Sequence, residues 1–487
     1  MKHSAPTTLR DSFFSLMGGV GPLAIALITI PLLIGHIGAA RFGALTIVWL
    51  LLGYFGQADF GIGRAVTQRI AAMTGNQHTA RAQTICTALV ANSAIGIALG
   101  VLAGIAAYLF FTGPFDVSAE LRAELIDTVW LVGATIPVVT IFGVAHGSLI
   151  GSQNFGTAAL ATFIGNSLMQ LFPLGVAALG SNHMSALIAA SLAGRAFGLT
   201  LALGGMWRHL LKDQPWQAST SEAAELFRFG KWVMLSAVIG PFMILSDRFL
   251  IGTFLGAVAV AAYAVPYQVG SRTQVFPQAL LTVMFPRFAS DNAGQANASA
   301  NQVAAAIAIL YAVPIVILIC LAEPLLDLWI GANLDPRSIL VARILLAGFW
   351  VNALAQVPFN LLQARGSPRS VALLHLAELP FYISLLLLLG GAFGLPGFAA
   401  AFAIRCAVDC GLLFARSGLP LGGLWPQLWL PVGAIALAAG LHPLLFGWKA
   451  SLLAACTLGG IMALRSLTMI PYELLRFGRR KEGGDAA

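Results

Sequence analysis

Ten ionisable side chains fall inside stretches that are otherwise apolar: Asp59, Arg64, Arg195, Asp247, Arg248, Arg272, Arg343, Glu378, Arg405 and Asp409. Arginine outnumbers acid in this set, and its planar fork is suited to bidentate binding of phosphate oxygens. The chemistry on offer is therefore anion binding, with carboxylates available to position a cation. Asp247 and Arg248 are neighbours in ILSDRFLIG; on a helix they project about 100° apart and need not bond each other, so Arg248 can face an anionic ligand while Asp247 braces the bundle. Arg272 follows Gly270-Ser271 in a segment whose Tyr263 and Tyr267 share a helix face at i, i+4. Asp59 and Arg64, in DFGIGR, flank Gly61 and Gly63, which permit close backbone approach; Arg64 either faces the interior or snorkels to headgroups. Arg405 and Asp409, at i, i+4, are spaced for an intrahelical pair, and Glu378 precedes a Leu-Pro bend. Arg64, Arg195, Arg248 and Arg272 are the candidate binding residues, and Asp59, Asp247, Glu378, Arg405 and Asp409 the candidate coupling or structural charges.

These charges must be held by membrane helices. Of the 487 residues 58% are hydrophobic and 9% charged, too little polar surface for a water-soluble globule. A bilayer core of ~30 Å needs about 20 apolar residues per helix, and such runs follow one another from Phe13 almost to the end. Runs such as LVANSAIGIALGVLAGIAAYLFF lack the alternation of a β-barrel strand. One charge at mid-bilayer costs ~2.5 to 3.5 kcal/mol on insertion scales, so the set as a whole is expected to face protein or a water-filled cavity.

Cuts at polar and Gly/Pro-rich breaks predict about fourteen helices: 13–34, 43–72, 83–111, 125–149, 156–179, 184–206, 229–253, 258–288, 302–322, 339–364, 369–391, 397–416, 427–446 and 449–471. The first is read as a retained helix rather than a signal peptide, being long and without a small-residue cleavage site. Basic residues gather in alternate connections, among them Arg69, Arg81, Arg208, Lys212, Arg365 and Arg479, while the opposite segments hold only Arg41, Arg122, Arg337 and Lys449. The positive-inside rule then puts both termini in the cytoplasm. This distribution, not a basic stripe, accounts for the net charge of +8, so no nucleic-acid partner is expected. Five cysteines inside apolar runs suggest neither disulfides nor a metal site. GIG and GGVG lack the strand-turn-helix setting of nucleotide motifs, and no outside loop carries a catalytic constellation, so no enzyme is expected.

The expected organisation is a six-helix bundle (1–212), a linker (213–228), a second bundle (229–418) and two extra helices with a basic tail (419–487). Each bundle opens with Gly-Pro inside its first helix: GVGPLAIALITIPLLIGHIGAARFG and VIGPFMILSDRFLIGTFLGAVAV run in parallel to Ile-Gly and then to a second small-residue turn. Parallel repeats of this kind place a substrate path between the halves. Pro22 and Pro241 each remove a backbone hydrogen bond and are candidate hinges or static kinks.

LSDRFLIGTFLGAVAVAAYAVPYQVGSRTQVFPQALLTVMFPRFA, FGALTIVWLLLGYFGQADFGIGRAVTQRIA and HLAELPFYISLLLLLGGAFGLPGFAAAFAIRCAVDCGLLF resemble, in register along nearly the whole chain, the bacterial polysaccharide-biosynthesis (O-antigen) flippases. That family belongs to the superfamily that also holds multidrug and toxin extrusion transporters and peptidoglycan-precursor flippases. The resemblance implies an all-α polytopic membrane protein, two six-helix bundles around a central cavity with two further C-terminal helices. It also implies an undecaprenyl-pyrophosphate oligosaccharide as substrate, moved from the cytoplasmic to the periplasmic leaflet of the bacterial inner membrane for O-antigen, capsule or exopolysaccharide assembly, beside glycosyltransferases and a polysaccharide polymerase. On that reading Arg248 and Arg272 meet the pyrophosphate. No resident cofactor is expected beyond a coupling cation, H+ or Na+. The rivals are a peptidoglycan-precursor flippase, a cation-coupled multidrug antiporter, whose proton-coupled members often carry an acid in the first helix where Phe13 to Ile34 has none, and a membrane glycosyltransferase or polymerase.

Overall fold

The computed structural model describes residues 5–57, 62–73, 77–290, 292–440 and 448–469. Regular structure among them is helical throughout: α1 (Ala5–Gln57), α2 (Ile62–Ala72), α3 (His78–Thr112), α4 (Ala119–Asp127), α5 (Val129–Gly151), α6 (Phe155–Ala178), α7 (Met184–Met206), α8 (Thr220–Thr273), α9 (Val275–Ser290), α10 (Ala293–Ala306), α11 (Ala312–Cys320), α12 (Ala322–Ile330), α13 (Arg337–Ala364), α14 (Pro368–Ser417), α15 (Trp425–Gly440) and α16 (Trp448–Met469). Eight of the described helical stretches are long and apolar enough to cross a membrane. Large apolar side chains such as Leu102, Leu109, Leu388 and Leu464 are at least 60% exposed, a surface suited to lipid and not to water. The chain is an all-α, multi-pass membrane protein.

Three helices are too long for one crossing. α1, α8 and α14 run 53, 54 and 50 residues, and at 1.5 Å per residue a straight helix of that length would extend ~75 Å, more than twice the bilayer core. Each is interrupted by a glycine at positive φ: Gly38 (77°), Gly256 (79°) and Gly394 (61°). With ψ of 161° and 175°, Gly38 and Gly256 occupy a backbone region that is nearly reserved for glycine. Contacts across two of the breaks run antiparallel, Asp247 to Tyr263 in α8 and Tyr382 to Arg405 in α14, so both helices fold back as hairpins. Gly38 and Gly256 are the second small-residue turns of the two opening repeats, and the backbone thus repeats where the sequence does. The side chains of Pro22 and Pro241, the expected hinges, lie outside the described residues.

The chain forms two compact units, Met1–Ala264 and Val265–Ala487, dividing within α8. In the first, α3 and α5 approach through small residues. A Cβ on Gly100 would sit 2.5 Å from the Gly133 carbonyl, whereas one on Gly104 would meet nothing closer than 3.8 Å. Such close approach lets dispersion and polar contacts replace the hydrophobic drive that lipid cannot supply. Asn92 donates to the Thr140 carbonyl at 2.6 Å in the same contact. The segment after α3 clips the Gly256 break: Asp116 N–H donates to Gly252 O at 3.0 Å, and Ala257 N–H donates to Asp116 O at 3.3 Å. These bonds satisfy backbone groups that a broken helix leaves over. Nearby, Arg41 Nη2 donates to Glu124 Oε1 at 2.6 Å, and the Met184 N–H donates to Glu124 Oε2 at 2.9 Å.

In the second unit α13 lies along α14. Its core joins Trp350, Leu354 and Leu361 of α13 to Ile315 and Ile319 of α11, with Ala438 of α15 and Met462 of α16. Trp350 Nε1 donates to the Ala308 carbonyl at 3.1 Å, which gives the buried indole its partner.

Candidate functional site

The adjacent pair in ILSDRFLIG closes on itself. Arg248 Nη1 donates to both carboxylate oxygens of Asp247, at 2.7 and 2.8 Å, with the two residues 2% and 0% exposed. Tyr263, brought back by the Gly256 turn, donates its hydroxyl to Asp247 Oδ2 at 2.9 Å, and the guanidinium lies 5.1 Å from its ring centroid. The helical projection left a direct bond optional; the structure forms it, because a rotated Arg248 side chain and a buried carboxylate each need a partner in an apolar setting. The triad sits inside protein, and both charges are engaged.

Arg195 stands differently. On α7 it is half-buried and its Nη1 donates to Asn166 Oδ1 of α6 at 2.6 Å, a neutral partner. No ion pair involving Arg195 occurs among the described residues. About one helical turn along from Asn166 and from Arg195, α1 contributes Thr29, whose hydroxyl donates to Gln170 Oε1 at 3.2 Å, and Trp49, whose Nε1 donates to Ser191 Oγ at 2.9 Å. A partly exposed guanidinium among amides and hydroxyls keeps its charge available to an anion. Asp59 and the side chain of Arg64 lie outside the described residues.

In the second unit Arg272 is exposed in the last turn of α8. Beside it in sequence, Gln274 donates to Phe349 O at 2.7 Å and to the Tyr311 hydroxyl at 3.1 Å, and accepts from Gln356 Nε2 at 2.7 Å. Tyr267 packs edge-on against Phe349 and Phe402, 5.1 and 5.7 Å away. Arg343, buried in α13, reaches only to 3.8 Å from Glu323 Oε2.

The i, i+4 ion pair between Arg405 and Asp409 is not among those the described residues form. Arg405 lies over the rings of Tyr382 and Phe402, 5.4 and 5.5 Å from their centroids, and interacts with Asp409 only at longer range. The reason is the hairpin: folding α14 back at Gly394 presents Asp409 with Glu378 and His375 from the preceding segment. His375 Nε2 lies 3.4 Å from Asp409 Oδ1, and one donor atom from each of His375, Glu378 and Asp409 falls within 4.8 Å of the others. His375 escaped the sequence reading because its place at i−3 from Glu378 means little until the hairpin is known; Tyr263 likewise gained its role from a turn.

Outside the membrane-spanning segments, Glu124 carries an electrostatic signature. Burial pushes its carboxyl up, but the Arg41 hydrogen bond, the Met184 N–H and the Arg41 and His183 charges outweigh this and hold it below the usual carboxylate range.

The polysaccharide biosynthesis protein family matches residues 36–338 of the chain. A Shigella flexneri protein described as a candidate O-antigen transporter is 29% identical over 412 residues, spanning 83% of this chain and 96% of that one. Among solved structures, the lipid II flippase MurJ in an inward closed conformation superposes with a TM-score of 0.73 at 16% identity, over 95% of this chain and all of that one. An inward-facing multidrug transporter of the MATE family superposes at 0.65 and 15% identity, over 84% and 98% of the two chains. At these identities the superpositions bear on fold.

Proposed function

The chain belongs to the polysaccharide biosynthesis protein family, and from that premise we propose that it is a flippase for lipid-linked oligosaccharides, moving repeat units on an undecaprenyl-pyrophosphate carrier from the cytoplasmic to the periplasmic leaflet of a bacterial inner membrane. The O-antigen transporter description of the Shigella relative supports the substrate class, and the flippase and transporter folds it resembles support translocation by alternating access. Such a substrate needs a wet, cationic path, because hydroxyls and phosphates entering lipid lose water without replacement partners.

The observation that carries this reading is Arg195: a half-buried guanidinium on a membrane helix, held by the neutral Asn166 rather than by an acid, and thus electrostatically open to a pyrophosphate. Arg272 offers a second exposed cation in the other unit. A coupling cation, H+ or Na+, supplies the energy; both termini are cytoplasmic; and the substrate comes from glycosyltransferases and passes to a polymerase. The protein itself forms or breaks no bond in its cargo. The test is a deletion strain followed for its carrier lipids: repeat units should accumulate complete on the carrier at the inner face. Failure to assemble the sugar on the carrier would point to an enzyme, and accumulation of a peptidoglycan precursor would move the substrate to that class.

A further inference from the structure

Glu378 and Asp409 present a problem of hydrogen bonding that the fold alone does not solve. Glu378 is 3% and Asp409 8% exposed, and neither Glu378 oxygen accepts from any donor among the described residues. A carboxylate oxygen of each nevertheless lies within 4.8 Å of the other. Two ionised carboxylates are acceptors only, so such a contact is repulsive unless something positive lies in it. Among the described residues the charges acting on Glu378 are those of Asp409 and Arg405. One arginine against two carboxylates, with a neutral imidazole, leaves a net charge of −1, which a single monovalent cation cancels; a divalent ion would leave a net positive charge in an apolar interior.

The donor set decides between a proton and an alkali metal. Hard cations take six or more oxygens, but the third group here is an imidazole nitrogen, whose affinity lies with softer metals. Carboxyl, carboxylate and imidazole are together the ordinary furniture of proton transfer.

We propose that Glu378 and Asp409 form a proton-binding site in which one exchangeable proton is shared between the two carboxylates, and that His375 passes this proton to and from the medium at the Pro368 end of α14. In the loading step His375, protonated at the ring by a hydronium ion of the medium, gives its Nε2 proton to Asp409 Oδ1, so that an N–H bond breaks, an O–H bond forms and the imidazole returns to neutral, and the proton then lies between Asp409 and Glu378; unloading is the reverse, and no bond between heavy atoms changes. His375 suits this part. Its side chain is 24% exposed, it lies seven residues from the start of α14, about 10 Å along the helix, and Phe359 of α13 stacks on its ring at 6.0 Å and 12°, fixing the orientation of the edge that faces Asp409. Other titratable groups facing the cluster are Tyr382, Cys406 and Cys410 of α14, with Tyr267 of α8 acting on Arg405; from α13 the described contacts are aromatic. Assigning this proton to the transport cycle rests on the flippase reading above, while the site itself does not.

The experiment is infrared difference spectroscopy of the purified full chain in lipid nanodiscs, stepping pH and exchanging into deuterated water. The expected result is a carboxylic-acid C=O band that responds to pH, shifts on deuteration and is lost in E378Q and in D409N, while H375N keeps the band but slows its exchange severalfold. The double variant E378Q/D409N, whose amides can bond each other without a proton, serves where a single variant misfolds, and it too should lack the band. Identical pH responses in wild type and the double variant would overturn the proposal. So would a band that never exchanges, or one abolished by NaCl at fixed pH, which would make the ligand an alkali cation. In proteoliposomes, transport of lipid-linked oligosaccharide that is indifferent to a collapsed pH gradient, with the band intact, would remove the proton from the cycle and leave the site standing.

Discussion

Arg248 and Asp247 are adjacent in sequence and bound to each other through two hydrogen bonds from one guanidinium nitrogen, with Tyr263 closing the triad from across the Gly256 turn. A pair this enclosed is costly to open from one side only. Asp247→Ala should lower stability by ~3 to 5 kcal/mol, since it strips a buried guanidinium of its counter-charge. Tyr263→Phe should lose less, ~1.5 to 3 kcal/mol, one hydrogen bond to a charged group being removed with the ring kept. The paired change Asp247→Leu with Arg248→Met should recover most of the abundance lost by Asp247→Ala, measured as folded protein by fluorescence-detected gel filtration after heating.

Arg195 should behave in the opposite sense. Because its partner is the neutral Asn166, Arg195→Gln removes a binding charge without orphaning an acid among the described residues. Folded abundance should stay within about twofold of wild type while translocation falls at least tenfold, a loss of ~1.4 kcal/mol or more of binding to the pyrophosphate. Arg195→Lys should fall between, keeping charge without the fork. Equal translocation at equal abundance would exclude Arg195 from the substrate path.

Two glycines with matching backbone should differ in what they tolerate. Gly38 and Gly256 both sit near φ +78° with ψ extended, so an alanine at either costs ~1 to 3 kcal/mol in backbone strain. At Gly256 the new Cβ would also lie 3.0 Å from the Asp116 carbonyl, whereas at Gly38 nothing lies within 4 Å. Thermal melting should therefore place Gly256→Ala below Gly38→Ala; the reverse order would show that the Asp116 clip does not constrain the turn.

Glu124 predicts an acid limb. Its folded pKa is depressed, so the stability it contributes is fully present above the unfolded value of ~4.3 and is lost as pH falls through the lower folded value. Glu124→Gln should flatten the melting profile across that window and leave neutral-pH behaviour with only the loss of the Arg41 ion pair. An unchanged acid slope would assign acid sensitivity to other carboxylates.

Much of this was legible in the residues. Breaks placed at 34–43, 253–258 and 391–397 bracket Gly38, Gly256 and Gly394, because a glycine between two apolar runs signals a turn whether or not polar residues accompany it. The membrane setting followed from composition alone. The carboxylate site was only half readable: Glu378 and Asp409 stood out as charges in apolar runs, but spacing assigned Asp409 to Arg405 four residues away, when its partners come from more than 30 residues upstream. Local period finds neighbours on one helix; it cannot find the residue that a hairpin brings opposite. His375 carried no signal of its own for the same reason, and the closure of Asp247 on Arg248 depended on a rotamer that periodicity does not specify.

The glycine corners of α1, α8 and α14 have a practical consequence for anyone mapping this chain. A corner made of one residue leaves no loop to carry a tag, a cleavage sequence or a reporter, and insertion is tolerated where exposed, weakly bonded backbone can absorb it. Random insertion libraries selected for folded protein should therefore be depleted to silence around Gly38, Gly256 and Gly394, yet populated between Lys212 and Ser219, and the reversals at Gly256 and Gly394 would go unseen in any topology map built from such fusions.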